Sequence, residues 1–133
     1  MSDKNRFISY LLKAENDLAE SRILLEANYP DGTCNRAYYA LFDCLLTLLH
    51  STDGPILKTH TGAHTEFRRQ FILTGLFERI YSDTITELVN LRQGGDYEID
   101  FDSSLEDAQE DVEKATEFLS LTKAYLRQNG FDL

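Results

Sequence analysis

Two prolines, seven glycines and no tryptophan in 133 residues leave this chain short of turn-forming residues. A β-sandwich or barrel joins many short strands through frequent turn residues, so that class is disfavoured from the outset. Only two cysteines occur, Cys34 and Cys44, both in one apolar segment. They form neither a disulfide framework nor a paired-cysteine zinc spacing, and they read as small core side chains. No apolar run approaches the roughly 18 residues that cross a bilayer, and the opening MSDKNRFISYLL is neither a secretory nor a transit signal. The expectation is a cytoplasmic protein with no membrane association. Bases are scarce as well: 13 Lys and Arg stand against 23 Asp and Glu, for a formal net charge of -10. Nearly all of that excess falls between Asp96 and Glu117, where ten acids face the single base Lys114. Such a segment repels phosphate backbones and disfavours indiscriminate DNA binding, while leaving room for a basic partner or a local positive cleft. Its ordinary reading is a solvated helix face.

What the chain does have is 42% hydrophobic and 11% aromatic residues, enough for a sizeable core and too much for a disordered chain. Residues 1–133 are expected to form one domain. From Asp3 to about Asn28, Phe7, Leu11, Ala14, Leu18 and Leu25 follow the 3-4 spacing of an amphipathic helix, with Ile8, Leu12, Ala19 and Ile23 widening the stripe. Tyr29-Pro30-Asp31-Gly32 predicts a stop, and Thr33 a cap for a second helix reaching about His50, apolar on nearly every side and therefore central. After Thr52-Asp53-Gly54-Pro55 the pattern predicts a short helix over about 62–73, with Ala63, Phe67 and Phe71 inward. A fourth helix is expected over about 76–93, burying Phe77, Ile80, Tyr81, Thr84, Leu88 and Leu91, with Gly94-Gly95 as its end. The alternating run from Asp96 to Asp102 reads as an extended loop, and Ser103 with Glu106 as a capping box. A last helix then shows an unbroken seam from Leu105 through Ala108, Val112, Ala115, Leu119 and Thr122 to Leu126. The fold class is all-α: an up-and-down antiparallel bundle of four long helices plus one short helix.

Chemistry-bearing motifs are few. There is no glycine-rich phosphate loop and no nucleophile elbow. His60 and His64 are four apart, close to Lys58, Arg68 and Arg69, in the one locally basic stretch. Two histidines without further placed ligands are thin ground for a metal, so no metal or cofactor is expected and the pair reads as capping and surface residues. Three clusters remain: Asn35-Arg36-Ala37-Tyr38-Tyr39-Ala40, His60-Thr61-Gly62, and Arg92-Gln93-Gly94-Gly95-Asp96-Tyr97. In this order, inside an all-helical chain of this length, they resemble the HEPN domain superfamily, particularly its small stand-alone branch encoded beside minimal nucleotidyltransferases.

The resemblance implies a dimeric bundle with a cleft between protomers lined by the end of the fourth helix. In the nuclease members of that superfamily an Arg, followed four to six residues later by a His, is supplied by each protomer, and RNA is cleaved without a metal. Arg92 matches the arginine and Gln93 the polar residue that follows it; Asp96-Tyr97 stands where the histidine would be. Arg92 and Asp96 are therefore the catalytic candidates, and Arg36, Tyr39, His60, Gln93 and Tyr97 the binding candidates. A carboxylate four residues from Arg92 can neutralise it, and an ordinary Asp has no proton to donate at neutral pH. The reading is a homodimeric module that binds RNA or a nucleotide, or pairs with a minimal nucleotidyltransferase in a toxin-antitoxin-like or defence system, lacking full nuclease activity. Tyr97 would then be a target for nucleotide transfer by that partner. Two alternatives stay open: a metal-independent endoribonuclease using Arg92 with Asp96 or a recruited histidine, and an interaction bundle whose acidic last helix docks on a basic protein. Buried anchoring is the competing role for Arg36, with Asp96 or Glu87 as its expected partner.

Overall fold

The structure, a computed structural model, describes residues 3–52, 59–97 and 104–133, and excludes the side chains of residues 3–6 and 91–97. Its helices are α1 (Asp3–Glu26), α2 (Pro30–His50), α3 (His60–Phe67), α4 (Ile80–Tyr97) and α5 (Leu105–Gln128), with a single π-turn, Arg68–Ile72, continuing α3. The all-α expectation holds, and no strand occurs among the described residues. α2 is the axis: α1, α3, α4 and α5 all pack on it, and every residue from Ala40 to His50 is buried. That follows from its sequence, since a helix apolar on all sides is stable only when surrounded. No helix among the described residues is long and apolar enough to cross a membrane.

Helix ends differ from expectation in instructive ways. α1 closes through Asn28 in the left-handed region (φ 65°), with Tyr29 N–H returning to Leu24 O at 2.9 Å, so Pro30 is not a stop. It occupies the first turn of α2, where a missing N–H costs nothing, and Tyr29 takes the N-cap position expected of Thr33. α5 closes in the same manner, through Gly130 (φ 89°) and a Phe131 N–H to Leu126 O bond of 3.0 Å, which seats Phe131 edge-on against Phe7 at 4.8 Å. α3 starts two residues earlier than expected because Thr59 Oγ1 accepts the Gly62 N–H at 3.0 Å. α4 begins at Ile80 rather than Leu76, and it runs through Gly94-Gly95 to Tyr97. Glycine inside a helix costs only about 1 kcal/mol relative to alanine, so it permits an end without imposing one. Asp96 and Tyr97 are thus helical and not part of an extended loop; the rest of that expected loop, and Ser103, lie outside the described residues.

The capping box sits one residue later than expected. Ser104 Oγ accepts from Asp107 N at 2.9 Å and Asp107 Oδ2 accepts from Ser104 N at 3.4 Å, because Ser-Ser-Leu-Glu-Asp offers two overlapping frames and this one caps α5 at Leu105. Ser104→Ala should cost about 1 kcal/mol, measured by urea denaturation, whereas Glu106→Ala should leave stability within about 0.5 kcal/mol. A larger loss at Glu106 would restore the earlier frame.

On α1 Phe7, Leu11, Ala14 and Leu18 are buried and Leu25 half-buried, while Ile8, Leu12, Ala19 and Ile23, expected to widen the stripe, are exposed; the expected α5 seam is buried except for Leu105 at the surface. On the fourth helix Ile80 is 60% exposed, and Ile85, which the pattern left out, is fully buried. The densest packing is aromatic: Phe67, Phe71, Phe77 and Phe118 interlock with ring centroids 5.3–5.8 Å apart, rimmed by Tyr81 and Tyr125. This cluster ties α3 and its π-turn to α5 and fixes where α3 presents its other face.

Candidate functional site

That face meets the first half of α2. Tyr38, only 1% exposed, directs its hydroxyl between two imidazoles of α3, 2.6 Å from His60 Nδ1 and 3.0 Å from His64 Nε2. A phenol has one proton and spare lone pairs, so it donates to one ring nitrogen and accepts from the N–H of the other. The three groups form a connected proton-sharing unit. The His60 ring lies flat on Phe42 at 4.1 Å with 5° between planes, and Tyr39 meets it edge-on at 6.0 Å. One helical turn separates His60 from His64, which is what lets both reach one oxygen.

Burial, together with the charges of Arg68 and His60, lowers the pKa of His64 to about 4. His64 is therefore neutral at physiological pH and takes part as a donor or acceptor, not as a cation. The reading of His60 and His64 as capping and surface residues is corrected: Thr59 supplies the cap, and both histidines are partly buried around Tyr38. Among the described residues, no three His, Cys, Asp or Glu side chains converge so as to hold a metal.

Arg36 is next to this unit but is occupied. Its guanidinium lies over the Tyr39 ring, 5.2 Å from the centroid, and 3.7 Å from both Asp17 and Glu20. These partners are on α1; of the two expected ones, Glu87 pairs with Lys114, and the Asp96 side chain lies outside the described residues. Asp17 in turn faces Asp43, a carboxyl in the middle of α2, whose pKa is pushed up to about 8 by burial and by the neighbouring carboxyl. Asp43 therefore holds a proton at neutral pH. Asp43, Asp17, Arg36, Tyr39 and His60 thus form a continuous line from the bundle interior to the imidazoles.

Of the expected site residues, Arg36, Tyr39 and His60 are brought together. Arg92, Gln93, Asp96 and Tyr97 lie on α4, with side chains outside the described residues; the helix puts Arg92 and Asp96 one turn apart. Three further members were not among the site candidates: Tyr38, named only within the Asn35–Ala40 cluster, and His64 and Arg68, named only in the locally basic stretch. Arg68 donates through Nε to Ser82 Oγ (2.8 Å) and through Nη2 to Ser82 O (3.1 Å) and Thr86 Oγ1 (3.0 Å). The four-residue steps from His60 to His64 to Arg68 were the available signal.

The HEPN domain family model matches residues 9–125. Two proteins of Methanocaldococcus jannaschii, each named "Putative toxin", are 33% identical over 115 residues, 86% of this chain and 77% or 84% of theirs. A "UPF0332 protein" of Thermotoga maritima is 28% identical over 120 residues, covering 90% of both chains. With the helical bundle in place and all but the ends of the chain matched, this protein belongs to the HEPN domain family.

Proposed function

We propose that this protein is a toxin-type HEPN module that binds single-stranded RNA as a homodimer, with Arg92 of each protomer holding phosphate. The observation that carries the reading is the unit of Tyr38, His60 and His64, two imidazoles sharing one phenol on the locally basic edge of an otherwise acidic chain. The names of the M. jannaschii relatives support the toxin class. In the toxin-antitoxin-like setting implied by the resemblance, a minimal nucleotidyltransferase is the partner and Tyr97 its target.

The same unit favours a second reading, cleavage. Arg92 and Asp96 lack a group that moves protons at neutral pH, and the imidazoles supply one. In that reading His60 takes the proton from a ribose 2′-hydroxyl as its oxygen attacks the adjacent phosphorus. A 2′,3′-cyclic phosphate forms, the P–O5′ bond breaks, and O5′ takes a proton from water, the proton held by His60 returning to solvent. Arg92 stabilises the negative charge that builds on the phosphorane.

Purified protein with end-labelled RNA tests both readings. Arg92→Ala should weaken RNA binding about tenfold, by roughly 1.4 kcal/mol. Chelator-insensitive cleavage should fall at least about 100-fold in His60→Ala. RNA bound but left intact removes the second reading alone. No RNA binding, or a particle of 15.3 kDa by light scattering, defeats the first.

A further inference from the structure

The charge on Arg68 has an unusual setting. Among the described residues Arg36 is matched by Asp17 and Glu20, Arg69 by Glu66, Lys114 by Glu87 and Lys123 by Glu15, while Arg22 is held by the Thr116 hydroxyl. Arg68 is gripped by three neutral oxygens of Ser82 and Thr86, and no carboxylate among the described residues lies within ion-pair distance of it. Its planar fork is fixed in direction without an ion pair, in a protein of net charge -10. Fixing a cation in this way spends no binding energy on ordering it later, which is the property an anion site requires. The Arg68 side chain forms part of the wall of a groove of about 620 Å³, shared with Ile72, Leu73, Arg79, Ser82 and Asp83. Arg79, at the foot of α4, is a second guanidinium with no ion-pair partner among the described residues. The π-turn creates the groove's near edge, and its extra residue per turn is a common device for redirecting a side chain at a functional position.

We infer that this groove is a phosphate-binding subsite, separate from the imidazole unit, that takes one nucleotide of an RNA strand. Arg68 and Arg79 hold the phosphate. Asp83 is placed to accept a ribose hydroxyl, and Leu73, 81% exposed on the rim, offers an apolar surface to a base. Arg68 is one helical turn from His64 and close enough to depress its pKa, so a strand seated at the imidazoles continues into the groove. The inference rests on the RNA reading above and assigns it a second contact point.

Fluorescence anisotropy with a labelled single-stranded RNA of about ten nucleotides, and with labelled AMP, decides the matter. Arg79→Ala should weaken the RNA about 5–10-fold and lower the magnitude of the log K against log salt slope by about 0.7, the share of one phosphate on a single strand. Leu73→Glu, which sets a carboxylate on the rim, should weaken it by a similar factor. Arg68→Ala removes three hydrogen bonds and can disturb the fold, so the two exposed variants carry the test. AMP bound by the wild type and lost in Arg79→Ala makes the ligand a free nucleotide and upholds the groove even if RNA fails to bind. Wild-type RNA affinity and slope in both variants, with affinity lost in Arg92→Ala, overturns the groove and leaves the RNA reading standing. Absence of both RNA and AMP binding in the wild type overturns the two together.

Discussion

Phe67→Ala is expected to remove about 3–5 kcal/mol of stability and to lower the melting midpoint by roughly 10–20 °C for a domain of this size. Phe67 is fully buried and touches the rings of Phe71, Phe77 and Phe118, three separate parts of the chain, at 5.3, 5.7 and 5.7 Å. Truncation forfeits the transfer of a phenyl ring out of water. It also leaves a hole that four elements in mutual contact cannot all move to fill. Phe67→Leu, which keeps most of the volume, should cost under about 2 kcal/mol. Urea denaturation followed by far-UV circular dichroism checks both. A cost below about 1 kcal/mol for the alanine variant would mean the aromatic cluster is not the keystone between α3 and α5. The effect also bears on function, because Phe67 precedes the π-turn that aims Arg68 and follows the turn that aims His60 and His64. A partly loosened α3 should therefore lose RNA binding before the bundle melts.

Helix periodicity made the bundle legible. The apolar seams of α1 and α5 and the all-round apolar α2 each satisfy a spacing rule that needs no knowledge of neighbours. Ends were less legible, since they are settled by competition between adjacent options. Pro30 can terminate one helix or start the next, Gly94-Gly95 can end a helix or be carried within it, and Ser103 and Ser104 both precede an acid by three residues. The site was legible in its parts and not in its assembly. Tyr38 is separated by 22 and 26 residues from the histidines that it joins, and only the packing of α3 on α2 brings them together. The three neutral oxygens around Arg68 depend on the register of the π-turn against α4, which no periodicity encodes. Buried acids were missed for a different reason. Asp111 belongs to the acidic stretch that reads as a solvated face, yet it is 1% exposed. Asp43 interrupts the apolar run Leu41-Phe42-Asp43-Cys44-Leu45, and that interruption was a signal, since an acid in the most buried helix must either find a partner or hold a proton.

Those acids set the second large effect: wild-type stability should fall by roughly 2–3 kcal/mol between pH 6.5 and 8.5, and Asp43→Asn should abolish most of that fall. Burial, followed by the neighbouring Asp17 carboxyl, raises the pKa of Asp43 from 3.8 to about 8, with Lys13 opposing. Burial also raises that of Asp111 to about 7 against the opposing influence of Cys34 and Lys114. Both groups hold protons in the folded state that an unfolded chain has already released, so their stabilising contribution is complete in acid and is lost as pH rises through the folded values. His64 works in the other direction. Its depressed pKa makes the folded state bind fewer protons between about 4 and 6.5, so its contribution is lost as pH falls through that window. Above pH 6.5 the His64 contribution fades and the two carboxyls dominate, so the fall there is chiefly theirs. Asparagine matches the shape of protonated Asp43 and can donate to Asp17 without titrating, so Asp43→Asn should be near wild-type stability at pH 5.5 and clearly more stable at pH 8.5. Urea denaturation of both proteins across that range gives the answer, and parallel pH slopes would show that Asp43 does not carry the proton. Asp17 also faces Arg36, which lies on Tyr39 beside His60, so the charge that appears on Asp43 when its proton leaves disturbs the line that positions the imidazole. RNA affinity should accordingly decline above pH 8 more steeply in the wild type than in Asp43→Asn.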